Sequence, residues 1–247
     1  RLAVGISGAA TNAIFYPHGT VRTFLHNGTA WELESELHPP TPIEFQAFGE
    51  WVDLRGDLLS VSSPGEDAAM NQCSGINYIF RWDPLEASWA LVSRLEPPQP
   101  QTTSFSFPTV FSPDGRLLFV GAYSSSSAAT NSGTAWVYQL IDGVFTAPVE
   151  LARSRAEPGD FFGLAVVFHN DEAYVAAPRL DLAGDNSGGV FQFALDDCTN
   201  SGVLDVWEIA EGLALDLNGN GIPDSCDARS PDLNHDGIVN GGDIGII

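Results

Sequence analysis

Short apolar runs recur along residues 1–195 at a nearly constant interval. One run reads LAVGIS, LSVSSP, LFVGAY and AYVAAP in turn, and its third residue marks the spacing, at Val4, Val61, Val120 and Val175. A second run follows a glycine, at Gly19, Gly75, Gly133 and Gly189. The intervals are 57, 59 and 55 residues in the first series and 56, 58 and 56 in the second. The chain therefore repeats a unit of about 56 residues.

Each repeat holds up to four such runs. A third series begins at Trp31, Trp89 and Phe145, and a fourth lies near Phe48, Phe107 and Phe162. The runs are rich in Val, Phe, Trp and Tyr, and turn residues separate them, which favours strands. Four strands in a period of this length predict an all-β propeller, whereas a β-sandwich would need the shared period to be a coincidence. The first repeat lacks its Phe48-type strand and the fourth its Trp31-type strand, so we expect a partial propeller of about 3.5 repeats.

In the segment WELESEL, from Trp31 to Leu37, glutamates alternate with residues that are apolar except for Ser35. Its apolar residues would share one face of a strand, and its glutamates the other: Glu32, Glu34 and Glu36. This pattern predicts an outer edge strand whose acids face water, where they discourage pairing with other chains.

The repeats resemble the FG-GAP family, the propeller repeat of integrin α-chains and of many secreted bacterial proteins. Phe48-Gly49 and Phe162-Gly163 match the FG pair, Val120-Gly121-Ala122 matches the GAP segment, and repeat three has Phe107-Pro108 in place of FG. The resemblance implies an FG-GAP propeller over residues 1–195 that presents loops to a protein or carbohydrate partner. Integrin repeats also carry Asp-rich calcium loops, and the nearest counterpart here contains Asp181, Asp185 and Asn186.

Residues 216–227 and 232–243 carry oxygen-bearing side chains at the spacing of a twelve-residue calcium loop. In the first segment positions 1, 3, 5, 9 and 12 and the position 7 carbonyl belong to Asp216, Asn218, Asn220, Asp224, Asp227 and Ile222. In the second segment they belong to Asp232, Asn234, Asp236, Asn240, Asp243 and Ile238. Glycine stands at position 6 of both, where the loop turns sharply. We therefore predict Ca²⁺ as the cofactor, although one such segment alone would also fit a solvated acidic turn.

A weaker copy of the pattern occupies residues 197–208. Its ligand positions are Asp197, Thr199, Ser201, Asp205 and Glu208, with the carbonyl of Val203 at position 7. Two of these ligands are hydroxyls, so this segment either holds calcium or keeps the turn without the ion. The three segments are named loop A (197–208), loop B (216–227) and loop C (232–243).

Only four residues separate loop B from loop C, and Pro231 among them excludes the entering helix of an EF-hand. Loop C and the residues after it resemble a dockerin repeat, and loop B resembles both that and a thrombospondin type 3 repeat. The resemblance implies a calcium-binding module over residues 196–247, truncated in its last helix, and a possible cohesin-like partner. Dockerins often contact cohesin through hydroxyls at positions 10 and 11, where loop C has Gly241 and Gly242.

The chain of 247 residues has a formal net charge of −22, from 10 basic and 32 acidic side chains. This balance excludes nucleic-acid binding through phosphate neutralisation. No apolar run reaches the roughly 18–20 residues of a membrane span. Cys198 in loop A and Cys226 in loop B predict a disulfide between the loops, which leaves Cys73 over. A disulfide and calcium loops both indicate a secreted or cell-surface protein.

No constellation of catalytic residues emerges from the sequence. The segment GISG at Gly5 is one residue short of a nucleophile elbow, the five histidines show no metal-ligand spacing, and no Gly-rich phosphate loop occurs. We therefore expect a binding or adhesion module that is not an enzyme. One alternative is the non-catalytic part of a secreted enzyme, for example one that degrades polysaccharides, anchored through a dockerin-like module. Another is a hydrolase active in the propeller itself.

Overall fold

The computed structural model describes residues 1–8, 18–66, 74–99, 104–126, 128–151, 156–169, 172–181, 184–217, 219 and 222–227. Within these ranges the protein is nearly all β, with fifteen strands and two short helices. The strands form four sheets in chain order, and the pairing in the first three sheets is antiparallel. This part of the chain contains no helix long and apolar enough to cross a membrane.

The first sheet has the order β1-β2-β3, with strands Leu2–Ile6, Thr20–His26 and Trp31–Leu37. The second has the order β4-β5-β6-β7, with strands Val52–Arg55, Leu58–Ser63, Ile76–Asp83 and Ser88–Leu95. The predicted set of four strands per repeat is therefore complete in the second sheet. Among the described residues the first sheet has no counterpart of β4, which is the strand that the first repeat lacks in the sequence.

The third sheet contains β8, β9 and β10, which are Thr109–Phe111, Leu117–Ala122 and Thr134–Ile141. Its fourth strand is split into β11 (Val144–Phe145) and β12 (Val149–Glu150), and both pieces pair with β10. Pro148 lies between the pieces and has no N–H to give to the ladder, which explains the interruption. The fourth sheet has the order β13-β14-β15, with strands Val166–His169, Glu172–Ala177 and Gly189–Ala194.

Strand β3 departs from its predicted faces. A β-bulge interrupts its pairing with β2 beside Thr23, and a bulge reverses the alternation of side chains along a strand. Trp31 and Leu33 are consequently 51% and 58% exposed. Glu34 turns inward instead, where it accepts a hydrogen bond from Thr23 Oγ1 and pairs with Arg1. The prediction that all three glutamates of this strand face water is wrong for Glu34.

A repeated contact between a phenylalanine and a glycine links each sheet to the next. The phenylalanines are at most 1% exposed, and they are Phe48, Phe105 and Phe162. Each lies against a glycine with a positive φ, respectively Gly19, Gly75 and Gly133. A Cβ on any of these glycines would overlap the carbonyl oxygen of its phenylalanine, so no other residue fits. The spacing between the three phenylalanines is 57 residues each time.

The second phenylalanine of this series is not the one that the sequence pattern indicated. The pattern assigned this position of repeat three to Phe107-Pro108, whereas in the structure Phe105, two residues earlier, makes the equivalent contact with a glycine. Ser106 has a φ of 69°, close to the 85° of Gly49 and the 88° of Gly163 at the equivalent positions. A serine therefore holds a left-handed conformation that the other two repeats give to glycine.

Two apolar clusters fill the spaces between the first three sheets. The cluster between the first and second sheets includes Val21, Phe48 and Tyr78, and that between the second and third includes Ile79, Phe105 and Trp136. Buried polar side chains bridge the same sheets. Trp89 Nε1 donates to Thr23 Oγ1 at 3.1 Å, and the hydroxyls of Ser60 and Thr109 lie 2.7 Å apart. Because these polar groups are satisfied, they fix the sheet-to-sheet register without a desolvation penalty.

The chain divides into two compact units. Unit 1 comprises residues 1–168 and 174–192, and unit 2 comprises residues 169–173 and 193–247. Unit 2 contains the two helices, α1 (Asp205–Ala210) and α2 (Asp224–Asp227). Helix α1 begins at position 9 of loop A, and α2 at position 9 of loop B.

Candidate functional site

Loop A folds around the carboxylate at its first position. Asp197 Oδ1 accepts the backbone N–H of Ser201 at 2.9 Å, and Asp197 Oδ2 accepts that of Gly202 at 2.9 Å. Gly202 has a φ of 87°, which is the sharp turn that the glycine at position 6 predicted. The first ligand position is thereby held in place by the backbone of positions 5 and 6.

The other oxygen-bearing side chains of loop A are linked to one another. Thr199 Oγ1 lies 3.3 Å from Asp197 Oδ1 and donates to Glu208 Oε2 at 2.9 Å. Ser201 Oγ donates to the carbonyl of Val203 at 3.2 Å. Positions 1, 3 and 12 are therefore close together, as are positions 5 and 7. The donor set consists of carboxylate, hydroxyl and carbonyl oxygens, which suits a hard cation such as Ca²⁺.

The carboxylate at position 9 of loop A accepts a hydrogen bond from the backbone. Asp205 is 4% exposed, and its Oδ1 accepts the backbone N–H of Cys198 at 3.0 Å. Burial raises the pKa of Asp205, the hydrogen bond from Cys198 lowers it, and the charges of Glu208, Asp196 and Asp197 raise it again, with a net shift upward. Three acidic side chains thus lie close enough to disfavour the charge of Asp205, and a divalent cation would relieve this repulsion.

Loop B repeats two backbone contacts of loop A. Asp224 Oδ1 accepts the backbone N–H of Leu217 at 3.0 Å, as Asp205 does from Cys198 at the same loop positions. The backbone N–H of Asp224 reaches the carbonyl of Leu215 at 2.7 Å, and that of Asp205 reaches the carbonyl at the same position before loop A at 2.8 Å. Asp216 Oδ1 accepts the N–H of Gly219 at 2.8 Å. The two loops therefore share the contact between positions 2 and 9, whereas the carboxylate at position 1 accepts from positions 5 and 6 in loop A and from position 4 in loop B.

Ligand positions of the two loops line one cavity of about 440 Å³ in unit 2. Thr199, Ser201 and Glu208 contribute from loop A, and Asp224 contributes from the start of α2. These oxygen-bearing groups therefore face a shared space. The remaining predicted ligands lie outside the described residues or have undescribed side chains: Asn218, Asn220, Asp227, Asp232, Asn234, Asp236, Ile238, Asn240 and Asp243.

The predicted disulfide between Cys198 and Cys226 is confirmed, with Cα atoms 6.1 Å apart. It joins position 2 of loop A to position 11 of loop B. The two sulfurs and a carboxylate oxygen of Asp205 lie within 4.8 Å of one another, but the sulfurs are committed to their mutual bond and are not thiolate ligands. Disulfides persist in oxidising compartments, so the bond indicates a protein that functions outside the cytoplasm. Cys73 lies outside the described residues.

The acidic segment in the fourth repeat forms a small turn. Asp181 Oδ1 accepts the backbone N–H of Asn186, and Asn186 has a positive φ of 52°. Asp185 is exposed. One carboxylate oxygen of Asp181 is therefore occupied in capping the turn, and among the described residues Asp181 belongs to no group of three or more side chains that could hold a metal ion.

A row of half-exposed aromatic side chains crosses the loops of unit 1, and the sequence interpretation missed it. Ring centroids are 5.6 Å apart for Trp51 and Phe107, 5.5 Å for Phe107 and Tyr123, and 5.8 Å for Tyr123 and Phe161. The guanidinium of Arg179 lies 4.6 Å from the Phe161 centroid. We call these five residues the aromatic row. Each of its aromatic residues lies within three residues of an FG or GAP position, a signal that could have separated it from the core.

A buried carboxylate in the second sheet was also missed. Glu66 is 5% exposed and accepts hydrogen bonds from Gln46 Nε2 at 3.0 Å, Tyr78 Oη at 2.7 Å and Arg94 Nη2 at 3.3 Å. Burial, followed by the hydrogen bond to Glu66, raises the pKa of Tyr78 to about 12. All of these side chains are paired, so the network ties the segment after β5 to β6 and β7 and leaves no free group for catalysis among them.

Comparison with known proteins adds a structural neighbour. No family model matches the sequence, and a search among curated proteins finds no match. A periplasmic gluconolactonase of Pseudomonas aeruginosa is similar in structure, with 17% sequence identity and a TM-score of 0.47. The similarity covers 78% of this chain and 50% of that protein, so this chain spans half the length of its neighbour.

The neighbour corrects one expectation from the sequence. The chain was expected not to be an enzyme, and the structure to which it is similar is that of an enzyme. That expectation is therefore withdrawn. A similarity of this extent assigns neither a substrate nor a mechanism to this chain.

Proposed function

We propose that this chain is an extracellular binding module in which the aromatic row of unit 1 binds a polysaccharide and the loops of unit 2 bind calcium. The aromatic row carries the first part of this proposal. The proposal concerns binding, and it stands with or without turnover of the bound partner.

Several properties of the aromatic row favour a ligand. Trp51 is 38% exposed, and Phe107, Tyr123 and Phe161 are half-buried, whereas other aromatic side chains of unit 1, such as Phe48 and Phe105, are fully buried. Ligand sites are lined mainly by aromatic and apolar side chains with a few polar groups, and Arg179 supplies a polar group at one end. A series of similar ring contacts suits a ligand built of repeating units, such as a glycan whose apolar sugar faces pack on aromatic rings.

Affinity electrophoresis tests this part of the proposal. The whole chain should migrate more slowly in gels that contain a soluble neutral polysaccharide, with xylan, mixed-linkage β-glucan and galactomannan as the probes. Trp51→Ala and Tyr123→Ala should abolish the retardation. Trp31→Ala is the matched control, because Trp31 is an exposed tryptophan outside the aromatic row. Retardation by none of the polysaccharides, or equal losses in Trp31→Ala and Trp51→Ala, would contradict the proposal.

The proposal that the loops of unit 2 bind calcium rests on the backbone contacts that loops A and B share. The carboxylate of Asp197 is fixed by two backbone N–H groups, and Thr199 and Glu208 lie beside it. Residues 196–247 contain eleven acidic side chains and one arginine, a net charge of −10, so a bound cation also offsets repulsion. The twelve-residue pattern and its resemblance to dockerin and thrombospondin type 3 repeats support the same assignment.

Terbium luminescence measures cation binding at loop A, because Trp207 lies at position 11 of the loop and can sensitise a nearby lanthanide. Tb³⁺ should give a saturable signal that Ca²⁺ displaces. Asp197→Asn should weaken the signal, and Asp196→Asn should not, since Asp196 loses the same charge at a position that is not a ligand. A signal that neither responds to Ca²⁺ nor distinguishes the two variants would refute calcium binding at loop A.

A further inference from the structure

The hairpin turn between β2 and β3 is built on an Asn-Gly pair. It comprises residues 27–30, which are all exposed. The backbone N–H of Asn27 donates to the carbonyl of Ala30 at 3.0 Å, and Gly28 has a φ of 101°. Asn-Gly is a favoured sequence for tight hairpin turns. The same pair is also the one in which the next backbone nitrogen can most easily attack the asparagine side chain, because glycine has no Cβ to crowd it.

The side-chain oxygen of Asn27 is surrounded by hydrogen-bond donors. Asn27 Oδ1 accepts the backbone N–H of Thr29 at 2.9 Å, the hydroxyl of Thr29 at 2.9 Å and the backbone N–H of Ala30 at 2.9 Å. These donors withdraw electron density from the carboxamide carbon, Cγ. They also stabilise the negative charge that develops on Oδ1 when a nucleophile adds to Cγ, as the donors of an oxyanion hole do.

A histidine contacts the backbone nitrogen that follows Asn27. His26 Nδ1 accepts the N–H of Gly28 at 3.2 Å. The ring of Trp31 packs edge-on against the imidazole, with centroids 5.0 Å apart, and helps to hold it in place. An imidazole nitrogen within hydrogen-bond distance of a proton is positioned to remove that proton as a general base. Apart from chain neighbours, no heavy atom lies within 4 Å of the point where a Cβ of Gly28 would stand, so the nitrogen is not crowded.

The amide nitrogen of Asn27 has a partner of its own. Asn27 Nδ2 donates to Glu32 Oε1 at 2.6 Å, which fixes the carboxamide from the side opposite to Oδ1. An amide nitrogen is a donor and a carboxamide oxygen an acceptor, so both ends of the group are matched to their surroundings. The hairpin therefore brings together a nucleophile with its base, a stabilised oxygen and a defined leaving group.

We infer that Asn27 is a self-modifying site, at which the turn catalyses deamidation of its own asparagine. Gly28 N forms a bond to Asn27 Cγ while His26 takes the proton from that nitrogen. The bond between Cγ and Nδ2 then breaks, and Nδ2 leaves as ammonia with the proton that His26 returns through water. The product is a cyclic succinimide, which water opens to aspartate or isoaspartate. The reaction needs no reagent other than water.

The modification changes the charge of the turn. The new carboxylate at position 27 cannot donate to Glu32 and repels it, whereas the amide of Asn27 donates to it. Like charges that face each other across paired strands are destabilising. Isoaspartate also lengthens the backbone of the turn. Both products should therefore loosen the pairing of β2 with β3.

Peptide mapping by mass spectrometry tests the inference on the whole chain, incubated in neutral buffer. The reference is a synthetic peptide of residues 24–32, which has the same Asn-Gly sequence without the folded hairpin. Asn27 should deamidate about tenfold or more faster in the native chain than in the peptide, because a positioned general base accelerates proton transfer by at least this much. The mapping separates Asn27 from the other Asn-Gly pairs, which begin at Asn218, Asn220 and Asn240.

Two variants and a control assign the acceleration to the turn. His26→Gln should remove it, because glutamine is not a base, and Thr29→Val should reduce it by removing one donor to Oδ1. His38→Gln is the matched control, since His38 pairs with Glu36 at the other end of β3. Circular dichroism verifies that each variant is folded. Acceleration that is lost in His26→Gln and kept in His38→Gln supports the inference. A native chain that deamidates no faster than the peptide, or an acceleration that His26→Gln retains, overturns it.

Discussion

Different kinds of internal interaction stabilise unit 1 and unit 2. In unit 1 the sheets enclose large side chains that are less than 2% exposed, such as Phe48, Phe105 and Trp136. Among the described residues of unit 2, the large buried apolar side chains are Leu195, Leu204 and Trp207, and the helices have six and four residues. Apolar burial by itself can stabilise unit 1. Unit 2 buries little apolar surface and depends on cross-links.

The cross-links of unit 2 are one disulfide and, in our proposal, bound calcium. Segments with small cores commonly rely on disulfides or metals for this reason. The comparison teaches that the two units should respond to different perturbations. Truncation of core side chains and alkaline pH should destabilise unit 1. Loss of the disulfide or of the loop geometry should destabilise unit 2.

The largest expected effect is that of Phe105→Ala in unit 1. Truncation of a fully buried phenylalanine leaves a cavity and should lower the free energy of unfolding by about 3–5 kcal/mol. Phe107→Ala, two residues away, should cost much less, because Phe107 is half-buried in the aromatic row. Urea unfolding followed by tryptophan fluorescence measures the free energy of unfolding of both variants. A larger loss for Phe107 would restore the assignment of Phe107 as the core phenylalanine of repeat three and refute that of Phe105.

That assignment shows where sequence reasoning reached its limit. The strands of the second repeat were predictable because alternating apolar residues and turn residues mark them locally. Phe105 was missed because Ser106 carries the left-handed conformation without a glycine to signal it. Glu34 was misplaced because a one-residue bulge inverts a strand without leaving a clear mark in its composition.

The candidate sites divide in the same way. The turn of loop A was predictable because its oxygen-bearing side chains and its glycine lie within twelve consecutive residues. The contacts within the aromatic row were not predictable, because Trp51, Phe107 and Phe161 are separated by 56 and 54 residues and only the packing of the sheets brings them into one row. Local chemistry can be read from spacing, whereas chemistry assembled by tertiary packing cannot.

Removal of the disulfide should have the next largest effect, and it should be confined to unit 2. A bridge across 28 residues is worth about 3–4 kcal/mol in the chain-entropy account. Cys198→Ser/Cys226→Ser, made in a Cys73→Ser background, should therefore expose loops A and B to hydrogen exchange. Peptides from β5, β6 and β9 serve as the internal control. Equal protection of the loops with and without the bridge would show that unit 2 is stable by other means.

Alkaline pH should weaken unit 1 by a smaller amount. All five tyrosines lie in unit 1, and the pKa of Tyr78 is raised from 10.0 to about 12 by burial and by its hydrogen bond to Glu66. Because the folded state holds this proton more tightly, its contribution is complete below pH 10 and is lost as the pH rises to 12. The loss amounts to about 2–3 kcal/mol.

Tyr78→Phe separates this contribution from other effects of alkali. The variant should lose less stability than the native chain between pH 10 and 12 in urea unfolding, while Tyr138→Phe leaves the Tyr78 contribution in place. If Tyr78→Phe and the native chain lose stability in parallel over this window, Tyr78 is not the titrating group.

The smallest expected effect is that of Gly202→Ala in unit 2. Gly202 has a φ of 87°, but a Cβ there would have no heavy atom within 4 Å, so the substitution introduces backbone strain alone. Strain of this kind costs about 1–2 kcal/mol per residue.

At Gly133 in unit 1, with a φ of 77°, the same substitution also drives a Cβ into the carbonyl oxygen of Phe162. Gly133→Ala should therefore cost more than Gly202→Ala, because two packed sheets must separate. Hydrogen exchange in a chelating buffer, where calcium cannot stabilise loop A, compares the local opening of the two sites. Equal losses would show that the Gly133 contact is looser than its geometry implies, and that unit 1 is not held by close sheet-to-sheet packing at this point.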